Sequence, residues 1–450
     1  MTTASAARTL DAGEKFFWML DQVSCMNFVV FAELECQLPP ATLQAALGEL
    51  QRRHPLLNCG IRVRDAGHVS FYRTEPTPIR LSMQQIDAGN WQEPLQAQLA
   101  QPFAADEHPL ARALYLPRSD APGSIVGLVY HHAIADGRSG TALLRELLQQ
   151  ALTGVDNAEA AHDEPPPMHE LFPPQFDWQR HPDKAAAIYG DMKLDIKRYG
   201  KPADLPWLQQ QHSGRQPRFY HIEFDPQQTA ALLQQCRAHD TTLHGALGAA
   251  QLLAKRKLLA ADGAQTMTLS HPADMRPYLA QNVPDDGLGL YITMLSSSYQ
   301  VAGDSDFWQL AREVVGDIRK QLQRGDGHLL YSLLRTQQVP PDAAGLAGFG
   351  QQMLASPKGS MISNIGRVAD VGADLPVSSI SFALCPMPYQ ALFTAASSYG
   401  GKLILNINYD AAKLAPDVAN KLAQQIRAEL LARIEHRSGA WPASRAAIGS

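Results

Sequence analysis

Residues 124–137, Ser124-Ile-Val-Gly-Leu-Val-Tyr130 followed by His131-His132-Ala-Ile-Ala-Asp136-Gly137, decide the fold of this 450-residue chain. The run rich in valine and isoleucine predicts a buried strand that ends at the two histidines. After the strand, Gly137 and Ser139 open an amphipathic segment, which predicts a tight turn and then a helix. This arrangement holds His132 at the exit of a buried strand.

An imidazole fixed at this place is suited to general-base catalysis, because the unperturbed pKa of histidine lies close to neutrality. The alternative is a pair of structural core histidines. Only 15 of 450 residues are histidine, and H-H-x-x-x-D-G should arise by chance in roughly one chain in several hundred. We therefore predict that His132 is catalytic and that His131 has a packing or hydrogen-bonding role. Gly137 is predicted to supply a backbone geometry that a side chain would obstruct.

At this motif the chain resembles the condensation-domain and chloramphenicol acetyltransferase-like superfamily of acyltransferases. That group includes condensation domains of nonribosomal peptide synthetases, polyketide-associated acyltransferases, alcohol acetyltransferases and wax ester synthases, and the second and third look most similar. Three further stretches extend the resemblance over most of the chain: Asp11 to Phe31, His271-Pro-Ala-Asp274-Met-Arg276-Pro277-Tyr278, and Ser363-Asn364-Ile-Gly366-Arg367. The resemblance implies acyl transfer from a thioester to an alcohol or an amine.

The resemblance also implies an α/β fold of two chloramphenicol acetyltransferase-like subdomains in a V-shaped, pseudo-dimeric arrangement. We place the N-terminal subdomain, which carries the histidine motif, at residues 1–155. A proline-rich and charged stretch at 156–215 is predicted to be an irregular, partly helical connector. The C-terminal subdomain is placed at 216–450. Its apolar periodicity predicts strands and helices. The strands are expected at 219–224, 378–388 and 393–409, and the helices at 227–239, 241–259, 305–323 and 415–435.

In the resembling families the aspartate of the motif points away from the reaction centre and pairs with an arginine of a D-x-R stretch. The corresponding residues here are Asp136 and Arg276. An unpaired buried charge is strongly destabilising, so we predict that this pair preserves the shape of the loop. His132 would then be oriented by a local backbone carbonyl group.

Ser363 and Asn364 lie where those families bring a loop from the C-terminal half to the active site. Their hydroxyl and amide groups are candidates for binding the substrate and stabilising the oxyanion of a tetrahedral intermediate. The alternative is equally well supported, because S-N-x-G is also a common turn sequence.

The composition is that of a globular protein, with 45% hydrophobic and 18% charged residues. A net charge of -5 gives no reason to expect nucleic acid or an anionic membrane surface as a partner. Neither a signal peptide nor a membrane-spanning apolar run is apparent. Five scattered cysteines without C-x-x-C spacing fit reduced thiols. We therefore predict a cytoplasmic protein without stable membrane insertion.

Other enzyme classes lack support, because the sequence has no G-x-S-x-G elbow, Rossmann fingerprint or phosphate-binding loop. No metal site is expected at the motif, since adjacent histidines on a strand point to opposite faces. We predict no tightly bound cofactor. The resemblance implies acyl-coenzyme A or a phosphopantetheinyl thioester as the donor substrate, an acyl or peptidyl carrier protein as a candidate partner, and an alcohol or amine as the acceptor.

We predict ester formation in secondary metabolite or lipid biosynthesis, with His132 as the general base. The stretches around Arg276 and Ser363 look closer to alcohol-acylating relatives. Two alternatives stay open. One is a freestanding condensation enzyme of the nonribosomal peptide type that forms an amide. The other is a catalytically silent scaffold that binds a carrier protein, although a silent copy need not retain His132.

Overall fold

The computed structural model describes residues 6–64, 68–73, 75–105, 107–154, 160–208, 215–336, 339–356, 359–372 and 374–435. The strands in these ranges are β1 (Ala6–Thr9), β2 (Asn27–Leu34), β3 (Cys59–Val63), β4 (Val69–Arg73), β5 (Leu81–Met83), β6 (Ala111–Pro117), β7 (Ser124–His131), β8 (Pro217–Phe224), β9 (Gln265–Asp274), β10 (Ile292–Val301), β11 (Gly359–Arg367), β12 (Val377–Leu384), β13 (Gln390–Tyr399) and β14 (Lys402–Asp410). The α-helices are α1 (Ala12–Val23), α2 (Pro40–Arg53), α3 (Gln92–Ala100), α4 (Gly137–Thr153), α5 (Pro182–Lys197), α6 (Pro226–Ala238), α7 (Leu243–Leu258), α8 (Phe307–Arg324), α9 (Asp326–Thr336), α10 (Ala343–Ala355) and α11 (Pro416–Glu435).

The strands form three sheets. A five-stranded sheet has the order β12-β2-β7-β6-β5, a six-stranded sheet has the order β10-β9-β11-β13-β14-β8, and a small sheet has the order β1-β4-β3. Helices α2 and α4 share a buried core with the five-stranded sheet, and helices α6, α7, α8 and α11 share one with the six-stranded sheet. The predicted α/β fold class is confirmed. Within the described residues, no helix combines the length and the apolar character needed to cross a bilayer.

The motif strand β7 lies in the middle of its sheet, between β2 and β6, and all eight of its residues are buried. The strand, turn and helix that the sequence predicts around the histidines are confirmed. The helix α4 begins after Asp136, whose side chain forms a capping box with Ser139. It ends at Gly154, whose positive φ of 64° is a left-handed conformation that glycine adopts without strain.

One strand from the C-terminal half belongs to the N-terminal sheet. The strand β12 pairs antiparallel with β2, from Val377 opposite Leu34 to Leu384 opposite Phe28. The chain then returns through β13 to the six-stranded sheet. Because a strand near residue 380 completes the sheet of the first half, the two halves do not separate cleanly at residue 216.

Some predicted elements differ from the structure in their limits. The segment 393–409, predicted as strand, contains parts of two strands, β13 and β14, with Gly400 and Gly401 in the turn between them at φ 55° and 82°. The apolar alternation continues on both sides of this turn, so the sequence pattern did not show where the chain reverses its direction. The predicted connector at 156–215 contains the helix α5. Residues 156–159 and 209–214 of the connector lie outside the described residues.

Candidate active site

His132 follows β7 directly, and two aromatic rings hold its imidazole. The ring stacks on Phe17 of α1, with centroids 4.0 Å apart and planes 17° apart. The ring of Phe28 from β2 lies 4.9 Å away at an angle of 50°. Both phenylalanines fall in the stretch from Asp11 to Phe31 that carries part of the resemblance, but their contact with His132 was not predicted. Their packing fixes the plane of the catalytic candidate.

The two nitrogens of His132 have different surroundings. Nδ1 is buried, and no described residue gives it a hydrogen bond. The backbone carbonyl groups of His132 and Ala135 nevertheless interact with the imidazole, so orientation by a local backbone carbonyl stays a prediction, to which aromatic stacking adds. The side chain lines a cavity of about 210 Å³. Because Nδ1 is enclosed, Nε2 is the nitrogen through which the ring can reach a molecule in this cavity.

The surroundings of His132 also set its protonation state. Burial lowers the pKa of the imidazole to about 4, while the nearby backbone carbonyl groups of His132 and Ala135 and the charge of Asp136 oppose this effect. The ring is therefore neutral near pH 7. A neutral imidazole is the form that accepts a proton, so the site is suited to a general base.

Both ring nitrogens of His131 contact other groups of the protein. Its Nδ1 accepts a hydrogen bond of 3.0 Å from the backbone N–H of Ala133, and its Nε2 lies 3.5 Å from Oδ2 of Asp21. Burial lowers the pKa of this imidazole to about 4 as well. These contacts give His131 a hydrogen-bonding position at the end of β7.

Asp136 is completely buried, and its carboxylate binds groups from both halves of the chain. Oδ1 accepts a hydrogen bond of 2.9 Å from the N–H of Ser139. Oδ2 accepts one of 2.9 Å from the N–H of Tyr291, and a guanidinium nitrogen of Arg276 lies 3.0 Å from Oδ2. The structure therefore brings together Asp136 and Arg276, as the resemblance implied.

Further contacts fasten the motif loop to the second half. The N–H of Asp136 donates to the carbonyl oxygen of Gly289 at 3.1 Å, and the hydroxyl of Ser139 donates to the same oxygen at 2.8 Å. Arg276 also pairs with Asp274 at 2.9 Å. The guanidinium of Arg276 lies 4.6 Å from the ring centroid of Tyr291. The loop next to His132 therefore depends on residues 274–291 for its shape.

Ser363 and Asn364 lie on β11 and line the same cavity as His132. Oδ1 of Asn364 accepts a hydrogen bond of 2.9 Å from the N–H of Gly366, whose φ of 78° is left-handed. The two predictions for this stretch are thus compatible, since it forms a local turn and also faces the cavity. With Oδ1 engaged in the turn, the NH₂ group of Asn364 is the part that can donate to a bound molecule.

The same turn packs on the motif glycine. A Cβ atom built on Gly137 would lie 3.0 Å from Cγ2 of Ile365, which is closer than ordinary van der Waals contact. A side chain at position 137 would therefore press on the Ile365 side chain, which would have to move by a few tenths of an ångström. The need for glycine here comes from close packing between the two halves.

A second cavity of about 810 Å³ adjoins the first. Four residues line both cavities: Phe17, Ile292, Met294 and Met387. Other lining residues come from α9, α10, β9 and β10. The catalytic candidate thus lies beside a space large enough for a sizeable, mostly apolar substrate.

Among the described residues, one group of histidine, cysteine and acidic side chains is close enough to hold a metal ion, namely Glu33, His221 and Glu223. It contains none of the motif residues. Lys402 lies 3.6 Å from Glu223, and Asn406 lies 2.8 Å from Nδ1 of His221. The lysine already compensates part of the negative charge, so we assign no metal to this group.

Replacing Asp136 with alanine should destabilise the protein by about 3–5 kcal/mol, because it leaves Arg276 buried without one of its carboxylate partners. Thermal melting and soluble yield measure the effect. The matched control is Asp285→Ala, since Asp285 lies at the exposed rim of the same charge network, 3.4 Å from Arg138, and should melt like the parent. An Asp136→Ala protein that melts like the parent yet lacks activity would instead make Asp136 catalytic.

Comparison with known proteins extends these observations. Residues 213–378, which include Arg276, Ser363 and Asn364, match the family model described as "Phthiocerol/phthiodiolone dimycocerosyl transferase C-terminus". The chain is 28% identical over 315 residues to the nonribosomal peptide synthetase kk1B of Curvularia clavata, covering 66% of this chain and 2% of that protein. It is 30% identical over 205 residues to the chondramide synthase cmdD of Chondromyces crocatus, covering 42% and 5%. The chain thus spans only a small part of these relatives.

Similar solved structures cover nearly the whole chain. Polyketide synthase associated protein 5 from Mycobacterium tuberculosis has a TM-score of 0.68 at 19% identity, covering 96% of this chain and 99% of that one. The TRI3 trichothecene 15-O-acetyltransferase from Fusarium sporotrichioides has a TM-score of 0.69 at 15% identity, covering 96% and 98%. The condensation domain of the Monacolin K polyketide synthase MokA has a TM-score of 0.68 at 13% identity, with the same coverage. At these identities the likeness shows a shared fold. The family model, the sequence relatives and this shared fold confirm the resemblance of the chain to the condensation-domain and chloramphenicol acetyltransferase-like superfamily.

Proposed function

We propose that this protein transfers an acyl group from a thioester of coenzyme A or of a carrier protein to a hydroxyl group, as a cytoplasmic enzyme of secondary metabolite or lipid biosynthesis. One observation carries the proposal: the neutral imidazole of His132 lines a cavity together with Asn364, which lies in the other half of the chain. A base and an oxyanion donor around one space are what acyl transfer needs. The family model and the acetyltransferase among the similar structures support it.

In the proposed reaction, Nε2 of His132 takes the proton of the attacking hydroxyl as the oxygen bonds to the thioester carbonyl carbon. The carbonyl oxygen becomes an oxyanion, which the NH₂ group of Asn364 stabilises. The intermediate collapses, the C–S bond breaks, and the imidazolium returns the proton to the leaving thiolate. No acyl-enzyme is needed, because holding both substrates in one site already makes the reaction effectively unimolecular.

A second candidate is amide formation between carrier-bound substrates. The sequence similarity to nonribosomal peptide synthetases favours it. The same residues would serve, with an amine as the nucleophile. Ester formation and amide formation differ in their donor and acceptor but use His132 in the same way. The two functions are therefore distinguished by the substrates that react and not by the geometry of His132.

A substrate panel tests the proposal directly. Acyl-coenzyme A thioesters of varied chain length are incubated with mixed alcohols and amines, and a parallel set uses the same acyl groups on holo-carrier proteins. Mass spectrometry identifies the product. Esters support the proposal, amides formed only from holo-carrier donors support the second candidate, and no product in any arm contradicts both.

Replacing His132 with alanine should lower turnover by roughly a hundredfold to ten-thousandfold, the usual contribution of general-base catalysis. The comparison variant is His68→Ala, because His68 is exposed and should keep the parent rate. Circular dichroism checks that both variants fold. An unchanged rate of His132→Ala at saturating substrate would remove this residue from the mechanism.

The pH profile should report the lowered pKa of His132. The base works only when neutral, and burial lowers its pKa to about 4, so neutral imidazole persists well below pH 6.5. We expect kcat/KM to stay level from about pH 7.5 to about pH 5, and to fall only nearer the lowered pKa. Melting curves at each pH confirm that the protein is folded. An activity midpoint near pH 6.5 in folded protein would show that His132 titrates as an exposed histidine.

Two substitutions at Asn364 separate an oxyanion donor from a turn residue. Asn364→Asp keeps the oxygen that accepts from Gly366 but removes the NH₂ donor. Both Asn364→Asp and Asn364→Ala should lower kcat by about 100- to 1,000-fold with little change in KM or melting temperature, because an oxyanion donor acts mainly in the transition state. A fully active Asn364→Asp protein would leave Asn364 as a turn residue alone.

A further inference from the structure

The larger cavity is lined by an apolar group and a hydroxyl group of side chains, and Lys197 and Lys201 also border it. Helices α1, α9 and α10 contribute apolar residues, which are Phe16, Phe17, Leu330, Leu334, Met353 and Leu354. The hairpin of β9 and β10 contributes hydroxyl groups instead. We call four of them the hydroxyl ladder: Thr268 and Ser270 of β9, and Ser296 and Ser298 of β10. An apolar ligand alone gives no reason for hydroxyl groups in the lining.

The register of the hairpin orders these hydroxyl groups along the cavity. Met294 lies opposite Pro272, Ser296 opposite Ser270, and Ser298 opposite Thr268. Since alternate residues of a strand share a face, the three pairs form successive rungs on one surface. The Met294–Pro272 pair lines the small cavity with His132. The two hydroxyl rungs then follow at roughly 7 and 14 Å from that pair along the strands.

Each rung has hydrogen-bonding capacity to spare. The hydroxyl oxygens of Ser270 and Ser296 lie 2.7 Å apart, and those of Thr268 and Ser298 lie 3.2 Å apart. A hydroxyl group has one proton and two lone pairs. A pair that bonds to itself uses one of its two protons, so the second proton can be donated to a ligand oxygen. The ladder therefore presents two donors, spaced along a mostly apolar space.

We propose that the larger cavity holds a substrate with a long, mainly apolar chain that carries oxygen atoms along one edge, and that the hydroxyl ladder selects it over a plain alkyl chain. The inference rests on the proposed function, because it assigns the substrate class of that site. This long apolar chain is part of either the acyl donor or the acceptor, since both kinds of substrate can have this chemistry. If the rungs only stabilise the hairpin, as cross-strand Ser and Thr pairs do, no such selection exists.

Equilibrium binding tests the proposal without turnover. Isothermal titration calorimetry on the His132→Ala protein compares dodecanoyl pantetheine with analogues in which one ether oxygen replaces a methylene group at successive positions. A second arm compares dodecanol with glycol ethers of equal length. The inner rung is removed by Ser270→Ala with Ser296→Ala, and the outer rung by Thr268→Val with Ser298→Ala. The control is Ser82→Ala on β5, which lies in the other sheet.

We expect ether analogues at two separate positions to bind about 2- to 10-fold more tightly than the plain chain, the effect of one net hydrogen bond. Removing the inner rung should abolish the preference for the ether oxygen nearer the reacting end and keep the preference for the more distant one. Removing the outer rung should abolish the preference for the more distant ether oxygen and keep the nearer one. If the pantetheine analogues show this pattern, the cavity holds the acyl donor. If the glycol ethers show it, the cavity holds the acceptor. The ladder has no such role if the plain chain binds as tightly as every ether in both arms, or if the preferences survive both rung variants. Binding is measured separately from turnover. If the parent protein transfers no acyl group to any acceptor, the proposed function is overturned, and the binding data alone then decide whether the hydroxyl ladder selects its ligand.

Discussion

The buried ion pair between Asp136 and Arg276 is the constraint on which the site depends. A carboxylate with no solvent exposure needs partners that replace water, and Asp136 finds them in Ser139, Tyr291 and Arg276. One partner belongs to its own helix and two belong to the second half. The turn that carries His132 can therefore take its shape only when both halves are folded together. The strand β12 works in the same direction, since it completes the N-terminal sheet with residues from the C-terminal half.

Burial of His132 has a cost and a use. It keeps the imidazole neutral near pH 7, but a base with a low pKa accepts a proton less readily in the absence of a compensating charge. In the proposed reaction that charge is the oxyanion, which forms in the same cavity as the imidazolium. Opposite charges attract more strongly where water is excluded. Phe17 and Phe28 pack against the ring, and in the proposed reaction this packing would favour proton transfer by positioning the imidazole and limiting its contact with water.

The strand and the helix on either side of His132 follow from the sequence because their determinants are local. The apolar run, the two histidines and the Asp136–Gly137 pair predict a buried strand, a turn and a helix, whereas the shape of the turn also depends on Arg276 and Tyr291. The pair with Arg276 was inferred from the resemblance, and the structure brings the two side chains together. The contacts of Phe17 and Phe28, the place of β12 and the packing of Ile365 on Gly137 were not predicted. They join residues that are far apart in the chain, and periodicity carries no information on such contacts.

The similar structures share this fold at 13% to 19% identity, so the backbone tolerates wide change while the architecture persists. Substrate choice in such a scaffold has to come from the side chains that line the cavities, because the strands and helices around them are common to all. In this chain those side chains differ along the route from His132. Methionine and phenylalanine adjoin the imidazole, and hydroxyl groups follow at each second residue of β9 and β10. An even apolar lining would distinguish chains mainly by length, whereas polar groups at fixed spacing also distinguish where along the chain an oxygen lies.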